Sequence, residues 1–240
     1  MLARMIGSGV FVLAVMLVAA CSGSHAPPPA EAPAAKAPPV DRAQAAKGAE
    51  MYHQLLQSKS YELAAPIGQE VVAKYPDSSE AKEIQQTLAD TVAKASAISA
   101  RRRLERLWIY QSGKESGGQQ NTASIYNSTP ASERVRLVLR RHSAWGQSVY
   151  LFGSGKGFEC ESACTVSVRF DDAAPVRMKA HIPETGEPAI FISDDRAFMA
   201  KMTKAGKVSI DAVPRGKSAE TLVFEVGGYD ADKFGAIPKK

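Results

Sequence analysis

The hydrophobic period changes once along the chain, at Leu107, and that change constrains the fold more than any other feature. Before it, apolar residues recur every three or four positions, the spacing of helices with one buried face. After it, short runs rich in β-branched and aromatic residues alternate with turn residues, the spacing of strands. A chain read this way is expected to be α+β, with an N-terminal helical part and a C-terminal antiparallel sheet.

The helical part is expected over residues 42–106. A first helix over 42–58 carries Ala45, Ala49, Tyr52, Leu55 and Leu56 on one face. Lys59-Ser60 breaks it. A second helix over 61–74 has Leu63, Ala64, Ile67, Val71 and Val72 as its apolar residues, with Pro66 in the second turn, where proline costs less than deeper in a helix. Together they make a hairpin. Tyr75-Pro76-Asp77-Ser78 stops the second helix, and Ser78 or Ser79 caps a long third one over 80–106, with Ala81, Ile84, Leu88, Val92 and Ile98 on one face. Arg101, Arg102, Arg103 and Arg106 close that helix, where cations complement the macrodipole. The alternative use of this run is contact with an anionic surface.

The β-rich part is expected over 107–230. Its runs lie at 107–110, 122–126, 135–140, 148–152, 165–170, 176–180, 189–192, 207–213 and 221–226, with a Gly/Gln-rich turn over 113–121. Such short, regularly spaced strands argue for a β-sandwich or barrel, and an antiparallel β-sandwich is the expected picture. One helical stretch interrupts them at 194–204, where Phe198 and Met202 lie one turn apart, an aspartate caps and Gly206 stops. It is expected to be a crossover helix. Residues 231–240 read as a C-terminal tail.

The first 20 residues look like a targeting segment. Arg4 supplies a positive start, residues 5–17 are uncharged and largely apolar, and Val18-Ala19-Ala20 are small. The apolar run is too short for a membrane-spanning helix of about 20 residues. Leu17-Val18-Ala19-Ala20-Cys21 resembles the lipobox of bacterial lipoproteins, with Val18 in place of the commoner leucine. The resemblance implies cleavage after residue 20, a diacylglyceryl thioether on Cys21 and attachment to the membrane through that lipid. Ser22 stands where lipoproteins retained in the inner membrane tend to have Asp, which implies the periplasmic face of the outer membrane. Residues 21–41 then read as a tether. Its Pro/Ala-rich sequence holds six prolines and cannot bury enough surface to offset its ordering entropy. A spacer is the plain use, and recognition of peptidoglycan the sharper one.

The chain has three cysteines. Lipid on Cys21 leaves Cys160 and Cys164 as an even pair that can oxidise in an exported protein. A structural disulfide is expected. The redox alternative lacks Cys-x-x-Cys spacing, and zinc would want four close ligands where no histidine is near in sequence.

Two further resemblances bear on architecture. Tyr61, Ala64, Val71-Val72, Tyr75-Pro76-Asp77-Ser78 and Ala81 resemble a tetratricopeptide-type hairpin such as those of envelope lipoproteins and assembly factors. The likeness covers 45–89, about one and a half repeats where a solenoid needs about three. Trp108-x-Tyr110, Leu137-x-Leu139-Arg140, Val149-Tyr150-Leu151, the Cys160/Cys164 pair, Val168-Arg169-Phe170-Asp171-Asp172, Ile190-Phe191-Ile192 and Phe224-x-Val226-x-Gly228 resemble, in this order, the uncharacterised β-rich domains of proteobacterial envelope proteins, and also a type VI secretion-associated periplasmic family. No catalytic residue comes with either likeness.

The motifs of catalysis are absent. There is no Gly-x-Ser-x-Gly elbow, and Gly153-Ser154-Gly155-Lys156-Gly157 lacks phosphate-loop spacing. Asp171-Asp172 and Asp194-Asp195 suit turns and caps, with acid/base or calcium chemistry as the alternative. His142 and His181 stand alone in sequence. A net charge of +5 is too small to argue for nucleic acid. No catalytic residue, metal or cofactor is expected. The sequence therefore points to a non-enzymatic, lipid-anchored cell-envelope protein, a scaffold or accessory in a periplasmic or outer-membrane assembly with an envelope protein as partner. The alternative is a small-ligand or peptidoglycan-binding lipoprotein that uses an aromatic face, with Trp108, Tyr110, Trp145 and Tyr150 as candidate residues. A hydrolase comes third.

Overall fold

The computed structural model describes residues 39–160 and 163–237. The leader, Cys21 and the tether up to residue 38 lie outside the described residues.

Three helices come first: α1 (Pro39–Gln57), α2 (Tyr61–Lys74) and α3 (Ser79–Glu105). The expected start near residue 42 is corrected, because α1 already includes residues 39–41. Proline is well suited to the first helical position, where its missing N–H is no loss, and Asp41 places an acid in the first turn. Ser78 caps α3 by accepting from Ala81 N at 3.0 Å. Ala49, Tyr52, Ala64, Val71, Ala81 and Ile84 form the helical core. Tyr52 is fully buried, and its hydroxyl bonds to Thr87 and Thr91 on α3 at 2.9 Å each. Gly68 lets α2 close onto that ring, since a Cβ there would lie 2.7 Å from Tyr52 and 2.9 Å from Leu88. Leu63 was expected on the buried stripe but is 62% exposed. Ala64, Ala65, Gly68 and Val71 fill that face instead, because close helix approach favours small residues.

The second half of α3 is largely solvent-exposed, and its arginines fasten it at both sides. Arg102 grips Glu62 of α2 with two hydrogen bonds of 2.7 and 3.1 Å. Arg103 grips Glu225 with two of 2.7 and 3.0 Å. Beside that pair runs the 3-10 turn Val226–Gly228. A Cβ on Gly228 would lie 2.2 Å from the Leu104 carbonyl carbon, so only glycine permits this approach to α3. The described residues belong to one compact unit, and the change of period at Leu107 marks no gap between parts.

Nine strands follow: β1 (Ile109–Glu115), β2 (Gly118–Tyr126), β3 (Arg136–His142), β4 (Gly146–Phe152), β5 (Cys164–Phe170), β6 (Val176–His181), β7 (Ala189–Ile192), β8 (Val208–Ala212) and β9 (Glu220–Phe224). All pairings are antiparallel, in one sheet of order β1-β2-β3-β4-β7-β6-β5-β8-β9. The α+β class with a C-terminal antiparallel sheet holds, and the strands hydrogen-bond as one series. Helix α4 (Asp195–Met202) lies between β7 and β8, which β6 and β5 separate in the sheet. Asp194 caps it through Ala197 N at 3.0 Å.

Alternate residues of the strands enter one core. Leu137, Leu139, Val149 and Leu151 from one half of the sheet join Val168, Ile210, Leu222 and Phe224 from the other in a single buried cluster. The sheet therefore has one inner and one outer face. The β9 edge meets the β2–β3 loop, where Ser128 N donates to Val223 O at 2.7 Å and Ser132 bonds to Glu220.

One expectation fails locally. The 113–121 turn is mostly strand: β1 and β2 run on to Ser116-Gly117, whose φ values of 43° and 79° suit a two-residue hairpin turn. Residues 231–237 of the C-terminal tail are described, and they hold an element of their own. Residues Ala231–Phe234 form α5, and Phe234 is fully buried in the sheet core. A single aromatic at the end of a polar stretch carries too little periodicity to reveal this from sequence.

Candidate outer-face binding site

The outer face of β1–β4 and β7 collects the chemistry of this molecule. Strand alternation sends Leu137, Leu139, Val149 and Leu151 inward, so Arg136, Val138, Arg140, Ser148, Tyr150 and Phe152 point outward. Register then builds rows across the sheet. Ser124, Val138, Tyr150 and Phe191 form one row, with Tyr126, Arg136 and Phe152 on one side and Thr122, Arg140 and Ser148 on the other.

Aromatic rings pave this surface. Tyr150 stacks on Phe191 with centroids 4.6 Å apart, and His181 stacks on Phe191 at 5.5 Å. The Arg140 guanidinium lies 5.1 Å from the Trp145 ring, 5.4 Å from Tyr150 and 5.7 Å from Phe191. Its Nε donates to Ser148 Oγ at 3.0 Å. Arg136 lies 5.2 Å from Phe152 and 5.9 Å from Tyr126, and Arg134 covers Tyr126 at 3.9 Å. Stacking of this kind holds a guanidinium in place while leaving its edge open. Among the described residues, none of these three arginines has a carboxylate within 4 Å. Glu187 lies near enough for Arg140 to help lower its carboxyl, but its hydrogen bond to Thr185 is the larger cause.

A groove of about 340 Å³ runs over the same face. Gln111, Gln120, Thr122 and Ser124 form one side, and Arg136, Val138, Tyr150 and Phe152 the other. Ser124 is only 3% exposed at its floor. The side chains of Gln111, Gln120, Thr122, Ser124 and the Tyr150 hydroxyl make no hydrogen bond to the described residues. Burial pushes the Tyr150 phenol up, against the pull of Arg140 and Arg136, so it stays a neutral donor and acceptor. The groove is thus lined by unused hydrogen-bonding groups, and its size is at the small end of the roughly 300–1,000 Å³ of ligand pockets.

The four aromatic candidates divide. Trp145, 51% exposed in the β3–β4 turn, and Tyr150 meet on either side of Arg140. Trp108 does not join them. It is 5% exposed, belongs to the core and donates Nε1–H to Val226 O at 3.3 Å. Tyr110 also points inward, opposite buried Ala123 in the register. Its hydroxyl accepts from Asp230 N at 2.7 Å and so fastens the C-terminal segment. Both are corrections: polarity in sequence cannot say which face of an edge strand a Trp or Tyr takes. Sequence reasoning missed Arg136, Phe152, Phe191, Gln111 and Gln120. The available signal was Arg136-x-Val138-x-Arg140, a same-face triplet on a strand.

The remaining candidates have structural roles. His142 is fully buried; its Nδ1 accepts from Ala144 N at 3.0 Å and Trp145 N at 3.3 Å. Its proton therefore sits on Nε2, which bonds Glu115 O at 2.9 Å, and the Trp145 ring stacks on it at 3.8 Å. His142 thus seats Trp145 on the turn. Asp171 accepts from Gly206 N and Lys207 N at 2.9 and 2.8 Å. Cys160 and Cys164 form a disulfide beside the core at the start of β5. No group of three His, Cys, Asp or Glu that could hold a metal occurs among the described residues. No helix among them is long and apolar enough to cross a membrane.

No family model matches the chain, and no curated protein matches it. Among solved structures, the crystal structure of invasion associated protein B from Bartonella henselae is similar, at 14% identity over 51% of this chain and 84% of that one, with a TM-score of 0.35. A likeness of that size carries no argument about fold or function.

Proposed function

We propose that this chain is a non-enzymatic, lipid-anchored cell-envelope protein whose work is to bind a ligand on the outer face of β1–β4 and β7. The observation that carries the reading is the groove of unused hydrogen-bonding side chains flanked by arginines that lie on aromatic rings and have no carboxylate within 4 Å among the described residues. Convergent polar groups over an aromatic floor suit a small molecule or a saccharide of the envelope, peptidoglycan included, better than a flat protein partner. Anchoring rests on the lipobox-like Leu17–Cys21 stretch, and Ser22 after it supports the periplasmic face of the outer membrane as the site of attachment. The single sheet is read as folding into the two layers of a sandwich, with α4 as the crossover.

Binding of the purified full chain to peptidoglycan sacculi and to soluble envelope saccharides tests the site. Gln111→Trp, which fills the groove from its exposed rim, and Tyr150→Ala, which removes a ring, should both lose capture while keeping a cooperative thermal transition. Capture undiminished in both folded variants sinks the outer-face assignment. Fractionation tests the anchor: Cys21→Ala should leave the membrane fraction, and full retention there contradicts lipidation.

A second reading keeps the scaffold role, on the helices. Met51, 43% exposed, lines an apolar groove of about 360 Å³ between α1 and α2 with Ile67, Val71 and Tyr75. An envelope protein partner of the kind a tetratricopeptide-like hairpin takes would dock there. Met51→Asp should abolish such an interaction and leave saccharide capture intact.

A further inference from the structure

The geometry points to an acidic saccharide as the occupant of the outer face: a sugar chain whose carboxylates meet Arg136 and Arg140 while its rings lie over Val138 and Tyr150. This rests on the ligand-binding reading above and names the class of ligand.

The arginines argue for the charge. Arg136 and Arg140 are four residues apart on one strand, so their Cα atoms lie about 13 Å apart on the same face. Arg140 has its Nε taken by Ser148 and its plane held by Trp145, Tyr150 and Phe191, and its two terminal nitrogens make no hydrogen bond to the described residues. Two parallel N–H groups on a fixed plane match a carboxylate. A neutral occupant would cover both guanidinium groups and leave them unpaired, which is unfavourable.

The rest of the face argues for sugar. Between the arginines lies an apolar floor, Val138 and the Tyr150 ring, and beside it on β1 and β2 stands a wall of neutral donors and acceptors, Gln111, Gln120, Thr122 and Ser124. A sugar ring has the matching division, with C–H groups on its flat side and hydroxyls around its rim. An extended peptide draws affinity from backbone pairing at a sheet edge. This face offers none, because the backbone groups of β2 and β3 are spent in the ladder on both sides.

Calorimetric titration of the full chain in detergent micelles tests this with three probes: tetragalacturonate, neutral galactotetraose and tetraglutamate. Tetragalacturonate should bind at least about tenfold more tightly than either other probe, with the preference shrinking at high salt. Arg140→Gln should weaken it about tenfold, the scale of one charge-assisted hydrogen bond. Arg140→Lys should recover only part of the loss, since a lysine cannot offer the planar fork. Equal affinity for galactotetraose overturns the acidic preference. Equal or tighter binding of tetraglutamate overturns the sugar in favour of an acidic peptide. Unchanged affinity in a folded Arg140→Gln overturns the assignment of the arginine. If none of the probes binds yet sacculi are still captured, with loss in Gln111→Trp and Tyr150→Ala, this inference alone falls. If sacculi are not captured either, the binding reading falls with it.

Discussion

At the end of α3, Arg102 and Arg103 each hold a glutamate with two hydrogen bonds; on the outer face of β3, Arg136 and Arg140 lie against aromatic rings with no carboxylate within 4 Å among the described residues. The two clusters look alike in sequence, and the run at 101–106 is the more conspicuous. Structure reverses their weight. The α3 arginines spend their donors inside the molecule, joining α3 to α2 and to the segment after β9. The β3 arginines are steadied by stacking and keep donors to offer. A basic run is therefore a poor guide to a binding surface until its acidic partners are counted.

The largest expected effect belongs to the α3 attachment. Gly228→Ala pushes a methyl group into the α3 backbone, which cannot yield as a side chain can, and should cost about 3 kcal/mol of stability, read by urea denaturation. An unchanged midpoint would mean that the turn after β9 does not sit against α3.

Charge neutralisation separates the two clusters next. Arg102→Gln with Arg103→Gln should lower the denaturation midpoint by less than Gly228→Ala, because both ion pairs are partly solvated. Arg136→Gln with Arg140→Gln should leave stability within about 0.5 kcal/mol, as for most surface changes. A larger loss from the β3 pair than from the α3 pair would invert the comparison.

The smallest effect is on pH dependence. The Arg103 hydrogen bonds hold the Glu225 carboxyl below its ordinary value of 4.5, against a lesser opposing effect of burial. A carboxyl depressed in the folded state stabilises above the unfolded value, and that stability is lost as pH falls through the folded one. Stability should therefore decline from about pH 4.5 downward, and Arg103→Gln should flatten that decline. An acid limb identical in both proteins would deny the coupling.

The helices and most strands were legible because their signals are local. Tyr52, Ala64, Val71, Ala81 and Ile84 fall at helical spacing, and Val149-Tyr150-Leu151 alternates as a strand between two packed neighbours. What escaped was settled by distant parts of the chain. Phe234 is buried because Tyr110 and Arg141, more than 90 residues earlier, hold the C-terminal segment through Asp230 and Gly235. Leu63 is exposed because α2 packs through Ala64, Ala65, Gly68 and Val71 instead. The candidate site was half legible: Trp145 and Tyr150 are on it, whereas Trp108 and Tyr110 turn inward. The missing half needed register, since only the pairing of β2, β3, β4 and β7 brings Ser124, Val138, Tyr150 and Phe191 into one row.

The account stands on the outer face being the part that binds. Titrating tetragalacturonate into Arg140→Gln and Arg103→Gln side by side tests this most directly. The predicted result is about a tenfold loss of affinity in Arg140→Gln and none in Arg103→Gln. Equal affinities in the two folded variants, or a loss confined to Arg103→Gln, would contradict it.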